Sequence, residues 1–77
     1  MNDKLFRTIL KRYEAAIEDA AYKIDIICEQ NLVIPEHIDI TGEIDKLLQI
    51  IAEAEDKVAV MRKYYGKNKT DKAVLWH

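Results

Sequence analysis

The chain has no serine, one cysteine, two histidines, two glycines and one proline among its 77 residues. Each scarcity removes a class of chemistry or of architecture. Without serine there is no serine nucleophile. With Cys28 as the only cysteine, no disulfide can close within the chain. His37 and His77 have no cysteine or second histidine at ligand spacing, so no metal is expected. So little glycine and proline leaves little room for loops. No apolar run approaches the ~18 residues of a membrane span. Met1-Asn2-Asp3-Lys4 is not followed by the apolar core of a signal peptide. The expectation is a soluble cytoplasmic protein with no cofactor and no membrane partner.

What is present in quantity is apolar (49%) and charged (34%) sequence, a balance that suits amphipathic helices and is too apolar for a disordered chain. A chain this short forms one domain with a thin core, and small helical units of this size rely on disulfides, a metal or oligomerisation. With the first two excluded, association with another chain is the remaining route.

Between residues 4 and 30 there is no glycine or proline. Phe6, Leu10, Tyr13, Ile17, Ala20, Ile24 and Ile27 recur in alternating steps of four and three, the seam of a helix packed along another helix. Lys11, Arg12, Glu18, Asp19 and Asp25 fall away from that seam. Asn31 to Ile40 breaks the pattern: Pro35 disfavours helix at Ile34, and the segment reads as an apolar connection. Thr41 is the expected N-cap of a second helix over about 42–65. Its seam, again in steps of three and four, is Ile44, Leu47, Ile51, Ala54, Val58, Met61 and Tyr65. Gly66 is the expected stop, and residues 67–77 read as a basic tail ending in a short helix. Two helices with a short connection pack antiparallel, so the fold class is all-α, a two-helix hairpin over 1–66.

Apolar residues also lie off both seams, at Ile9, Tyr22, Ile26 and Cys28 and at Leu48, Ile50 and Val60. One hairpin cannot cover them all. A homodimer forming a four-helix bundle is therefore expected, its core built from Phe6, Leu10, Tyr13, Ile17, Ile24 and Ile27 on one helix and Ile44, Leu47, Ile51, Val58 and Met61 on the other.

The net charge of −2 conceals a division. Residues 1–13 and 60–77 carry nine bases against two acids, a net +7, while 14–59 carry three bases against twelve acids, a net −9. Three explanations follow. The basic end of one hairpin could meet the acidic connection end of another. An acidic protein could bind it. Nucleic acid could bind it too, through Lys4, Arg7, Lys11, Arg62, Lys63, Lys67 and Lys69, with Tyr64, Tyr65 and Trp76 to stack on bases. Self-association is preferred among the three.

Other chemistry is thinly represented. Cys28 lies beside the seam and reads as a buried, inert thiol. His37 reads as a surface histidine. Glu14 with Glu18, and Glu53 with Asp56, have spacings that could hold Mg²⁺ for phosphate chemistry. A metal in a bundle core needs inward carboxylates, however, and most of these point away from the seam. They read as solvated residues with basic partners one turn on, such as Glu53 with Lys57.

The stretch Thr41-Gly42-Glu43-Ile44-Asp45-Lys46-Leu47 resembles the Ser-Gln-Glu-Leu-Asp signature of the small Bacillus sporulation-regulating aspartyl-phosphate phosphatases, which are short helical hairpins, some of them dimeric. Glu43 and Asp45 match identically, and Thr41 and Ile44 conservatively. Gly42 stands where the family has glutamine, and the family's arginine on the first helix has no evident counterpart. The likeness extends back through Ile24 to Ile40, less than half of the chain. It implies a phosphorylated response regulator as partner and Asp45 as the principal catalytic residue, with Glu43 and Thr41 in support. The leading expectation is nonetheless a small regulatory or adaptor protein acting by protein–protein contact, of which phage and mobile-element inhibitors are one type. The phosphatase and the nucleic-acid binder are the alternatives.

Overall fold

A computed structural model describes residues 1–29 and 39–66, which form two α-helices, α1 (Asp3–Glu29) and α2 (Ile40–Tyr65), paired as a hairpin. At ~1.5 Å per residue each helix is about 40 Å long. The connection and the tail expected over 67–77, including its short helix, lie outside the described residues, as do His37, Lys67, Lys69, Trp76 and His77. Among the described residues, no helix is long and apolar enough to cross a membrane.

α1 begins where Asn2 can close its open end. The Asn2 side-chain oxygen accepts from the Leu5 N–H at 2.8 Å, and its carbonyl accepts from the Phe6 N–H at 3.0 Å. These are two of the amide groups that a helix start otherwise leaves without partners. A little further on, the Thr8 hydroxyl donates to the Lys4 carbonyl at 2.8 Å, so a residue that often competes with helix geometry is tied into it.

The start of α2 corrects the expectation for Thr41. The N-cap is Asp39, two residues earlier. Its carboxylate accepts from the Gly42 N–H at 3.0 Å and from the Thr41 hydroxyl at 3.1 Å. Thr41 therefore sits inside the first turn and donates to the cap instead of being the cap. Ile40, assigned from the sequence to the connection, is the first helical residue. An ionised carboxylate accepts from two donors at once and favours the positive end of the helix dipole, which a threonine hydroxyl cannot match. At the other end the helix does stop at Gly66, whose N–H donates to the Arg62 carbonyl at 3.3 Å. Its φ of −66° and ψ of 149° are extended backbone, so no left-handed glycine is involved.

Tyr13, ten residues into α1, lies beside Lys57, eight residues before the end of α2, with the ammonium 5.6 Å from the ring centroid. That contact has the register an antiparallel pair requires, and it is a cation–π interaction across the two helices. It replaces the Glu53–Lys57 pair expected from spacing. Glu53 instead accepts from the Gln49 side-chain amide at 3.0 Å.

Only three described apolar residues are buried: Ala20 (1% exposed), Ala54 (5%) and Met61 (9%). Both alanines are seam residues, and side chains this small are the ones that two helices alone can enclose. Phe6, Leu10, Tyr13, Ile17, Ile24 and Ile27 on α1 are half-buried, as are Ile44, Leu47, Ile51 and Val58 on α2. No large side chain is fully enclosed. Full burial of such a side chain is worth ~1.5–3 kcal/mol, so each of these positions realises only part of its stabilisation within the hairpin.

Candidate functional site

Three regions hold the residues singled out from the sequence: the first turns of α2, the end of the hairpin where α1 begins and α2 stops, and the seam with the apolar residues beside it.

In the first turns of α2, Thr41 is engaged with Asp39, and Glu43 is paired with Lys46 at 3.5 Å on an exposed surface. Asp45 is exposed and, among the described residues, has no hydrogen-bonding or ionic partner. Thr41 and Asp45 lie one turn apart on one side of the helix. Glu43, two residues from each, points about 200° away at 3.6 residues per turn. The fold therefore leaves one free carboxylate here and does not bring the three residues into one cluster.

Gly42 acquires a reason that the sequence comparison lacked. A Cβ at this position would overlap the Asp39 carboxylate, so the glycine leaves space for the cap. Two opposing terms then meet at position 42. Alanine there favours helix by ~1 kcal/mol over glycine, whereas loss of the aspartate cap costs ~1 kcal/mol. We expect Asp39→Ala to destabilise by about that amount and Gly42→Ala alone to be near neutral. Gly42→Ala should become stabilising by up to ~1 kcal/mol once Asp39 is already alanine. Urea unfolding at one protein concentration measures all four states. An equal gain from Gly42→Ala in both backgrounds would show that the two positions are independent.

At the terminal end, Lys4, Arg7 and Lys11 recur at helical spacing along α1, with Arg62 and Lys63 near the end of α2; all five are exposed. Arg7, Leu10, Lys11 and Glu14 line a shallow, open depression. An anion entering it would meet the Glu14 carboxylate beside the two bases, an unfavourable arrangement for phosphate. Tyr64 (54% exposed) and Tyr65 (51%) present their rings at this end. The Lys63 ammonium lies 5.3 Å from the Tyr64 ring centroid.

Beside the seam, Tyr22, Leu48, Ile50 and Val60 are exposed and Ile9 and Ile26 half-buried. Leu5, which the seam reading passed over, is 47% exposed. Cys28 is exposed, which corrects the expectation of a buried thiol. It follows the seam residue Ile27, one residue from the end of α1, and so is turned away from α2. Glu14, Glu18, Glu53 and Asp56 are exposed as expected. Among the described residues, no three His, Cys, Asp or Glu side chains come together as a metal site.

No protein-family model, curated protein or solved structure matches the chain.

Proposed function

We propose that this chain is a small regulatory or adaptor protein that works by protein–protein contact through a helical bundle, and that its first partner is a second copy of itself. The observation that carries this reading is the half-exposed seam. Ten large apolar side chains point between or beside the helices, and the hairpin encloses none of them fully. Water contact at so many apolar positions is a cost that a second hairpin removes, because four helices surround a core that two can only line. Exposed Leu5, Leu48, Ile50, Val60 and Tyr64 add apolar surface that a lone hairpin has no use for. The exposed lone thiol of Cys28 suits a reducing compartment, and we place the protein in the cytoplasm on that ground.

Light scattering at micromolar concentration tests the first step. The expected mass is twice that of the 9.0 kDa chain, and the thermal midpoint should rise with protein concentration, since association and folding are linked. A monomer with a concentration-independent midpoint would remove the reading.

One observation favours a second function. Asp45 keeps an exposed carboxylate unengaged while its neighbours are tied into local contacts, as a group that meets another protein's acyl phosphate must. On that reading the hairpin speeds hydrolysis of a phosphorylated response regulator by placing Asp45 near the attacking water. Asp45→Asn should then abolish the acceleration and leave folding unchanged. Equal decay of the phosphorylated regulator with and without the protein would dismiss it. The third reading, nucleic-acid binding at the basic end, predicts affinity that falls steeply with salt; absence of binding at low salt would exclude it.

A further inference from the structure

We propose that the end of the hairpin where α1 begins and α2 stops is a docking surface for an acidic amphipathic helix of another protein. This rests on the adaptor reading above and adds to the second copy a partner of different chemistry.

The surface is built from two short rows. In an antiparallel pair, the residues immediately preceding seam positions fall on one side of both helices. At this end α1 places Leu5, Ile9 and Arg12 there, and α2 places Tyr64, Val60 and Lys57. Each row starts apolar at the open end and closes on a base toward the middle. Each covers seven residue steps, about 10 Å or two helical turns. Ile9 is half-buried, while Leu5, Val60 and Tyr64 are 47%, 45% and 54% exposed. The opposite side of the same end carries Lys4, Arg7, Lys11, Ala59, Arg62 and Gly66, with no large apolar residue among them. The four apolar side chains therefore form one patch on one side, a strip two turns long between two helices. That is a shape a third helix fills, with apolar anchors at steps of three and four.

Charge gives the sign of that helix. Residues 1–13 and 60–66 carry six bases and one acid, Asp3, a net +5. Arg12 and Lys57 close the two rows, and Lys63 flanks Tyr64 with its ammonium 5.3 Å from the ring centroid. Lys57 lies over the Tyr13 ring. None of these three bases is paired with an acid among the described residues. Glu53 and Asp56 stand one turn before Lys57 and Val60, at the inner border of the patch. In the connection half of the same side the bases are taken up: Lys23 pairs with Asp19 at 2.9 Å, and Lys46 with Glu43 at 3.5 Å. A two-fold dimer packed through this side would bring up either the same bases or that paired half, and neither complements the rim. A helix with carboxylates on both flanks of its apolar stripe complements it, since its leucines cover the patch and its acids meet Arg12, Lys57 and Lys63.

The probe is a fluorescein-labelled peptide of about 18 residues, long enough to be helical, with leucine at steps of three and four and glutamate on both flanks. Its anisotropy should rise with the full chain at low salt, and the affinity should fall as salt is added. A peptide with lysine in place of glutamate should bind about tenfold more weakly or worse. Leu5→Asp with Val60→Asp should weaken the glutamate peptide by about tenfold or more; both positions are exposed enough to take the charge, and far-UV circular dichroism checks that the helices persist. Arg12→Glu with Lys63→Glu should exchange the preference, so that the lysine peptide binds more tightly than the glutamate one. Leu48→Asp, exposed at the other end, should change nothing. No binding, equal binding of the two peptides, or an effect of Leu48→Asp as large as that of Leu5→Asp with Val60→Asp overturns this docking surface. Preference for phosphatidylglycerol vesicles over the peptide overturns it in favour of a lipid surface, and loss of dimer mass in Leu5→Asp with Val60→Asp overturns it in favour of the second copy. Light scattering on the native chain reads self-association separately, so a monomer that binds the glutamate peptide removes the second copy and keeps this surface.

Discussion

Replacing Ile51 by aspartate will leave the chain monomeric and largely unfolded at micromolar concentration. Ile51 is a seam residue in the middle of α2 and is only half-buried in the hairpin. If the hairpin is the final state, a carboxylate there can turn to water, and the loss is a fraction of one isoleucine burial, about 1 kcal/mol. At the centre of the proposed four-helix bundle it would be buried away from water, and the cost would be several kcal/mol. A chain of this length has a total stability of roughly 4–12 kcal/mol at 0.05–0.15 kcal/mol per residue, so a loss of that size removes most of the folded population. Ala52→Asp puts the same charge on the adjacent, exposed position and should change stability by no more than about 0.5 kcal/mol. Far-UV circular dichroism and light scattering on the two variants make the comparison. A helical Ile51→Asp protein as stable as Ala52→Asp would mean that nothing covers the seam.

Ala20→Leu is expected to produce the second large effect, a destabilisation of about 1–3 kcal/mol. Ala20 is the least exposed apolar residue described, and Ala54 on the facing helix is nearly as enclosed. A side chain that is 1% exposed is already surrounded, so three more carbon atoms at position 20 must displace their neighbours. The helices must move apart or the leucine must leave its preferred rotamer. Ala15→Leu, on the exposed side of α1, adds the same atoms where there is space and should be close to neutral. Urea midpoints at matched concentration would separate the two. A gain in stability from Ala20→Leu would show that position 20 has space to fill.

Both expectations rest on features that were unequally legible in the sequence. The seam was readable because helix geometry imposes its period on the chain: steps of three and four from Phe6 to Ile27 and from Ile44 to Tyr65 have no other simple origin. The cap was not readable to the residue. Asp39 and Thr41 are both good N-caps, and they stand two residues apart. What decides between them is which side chain reaches the Gly42 N–H, a matter of backbone placement. Gly42 looked like a departure from a motif, and its value to Asp39 depends on where a Cβ would point. Lys57 had an acidic neighbour at favourable spacing, yet it reaches Tyr13 on the other helix. Local spacing carries no information about a partner that sequence separates by more than forty residues.

By itself the sequence determined that this chain is helical, that it folds back once, and that its charge is divided between two ends. Those properties follow from periodicity, from the position of Pro35 and from the order of charged residues, all of which are local or additive along the chain. Only the tertiary structure decided how much of the seam two helices can enclose, that Cys28 is exposed, and that Asp45 has no partner among the described residues while Thr41 and Glu43 do. Enclosure depends on the third and fourth neighbours around each side chain. A period in one helix specifies which side is turned inward, but not whether enough protein stands opposite to keep water from it.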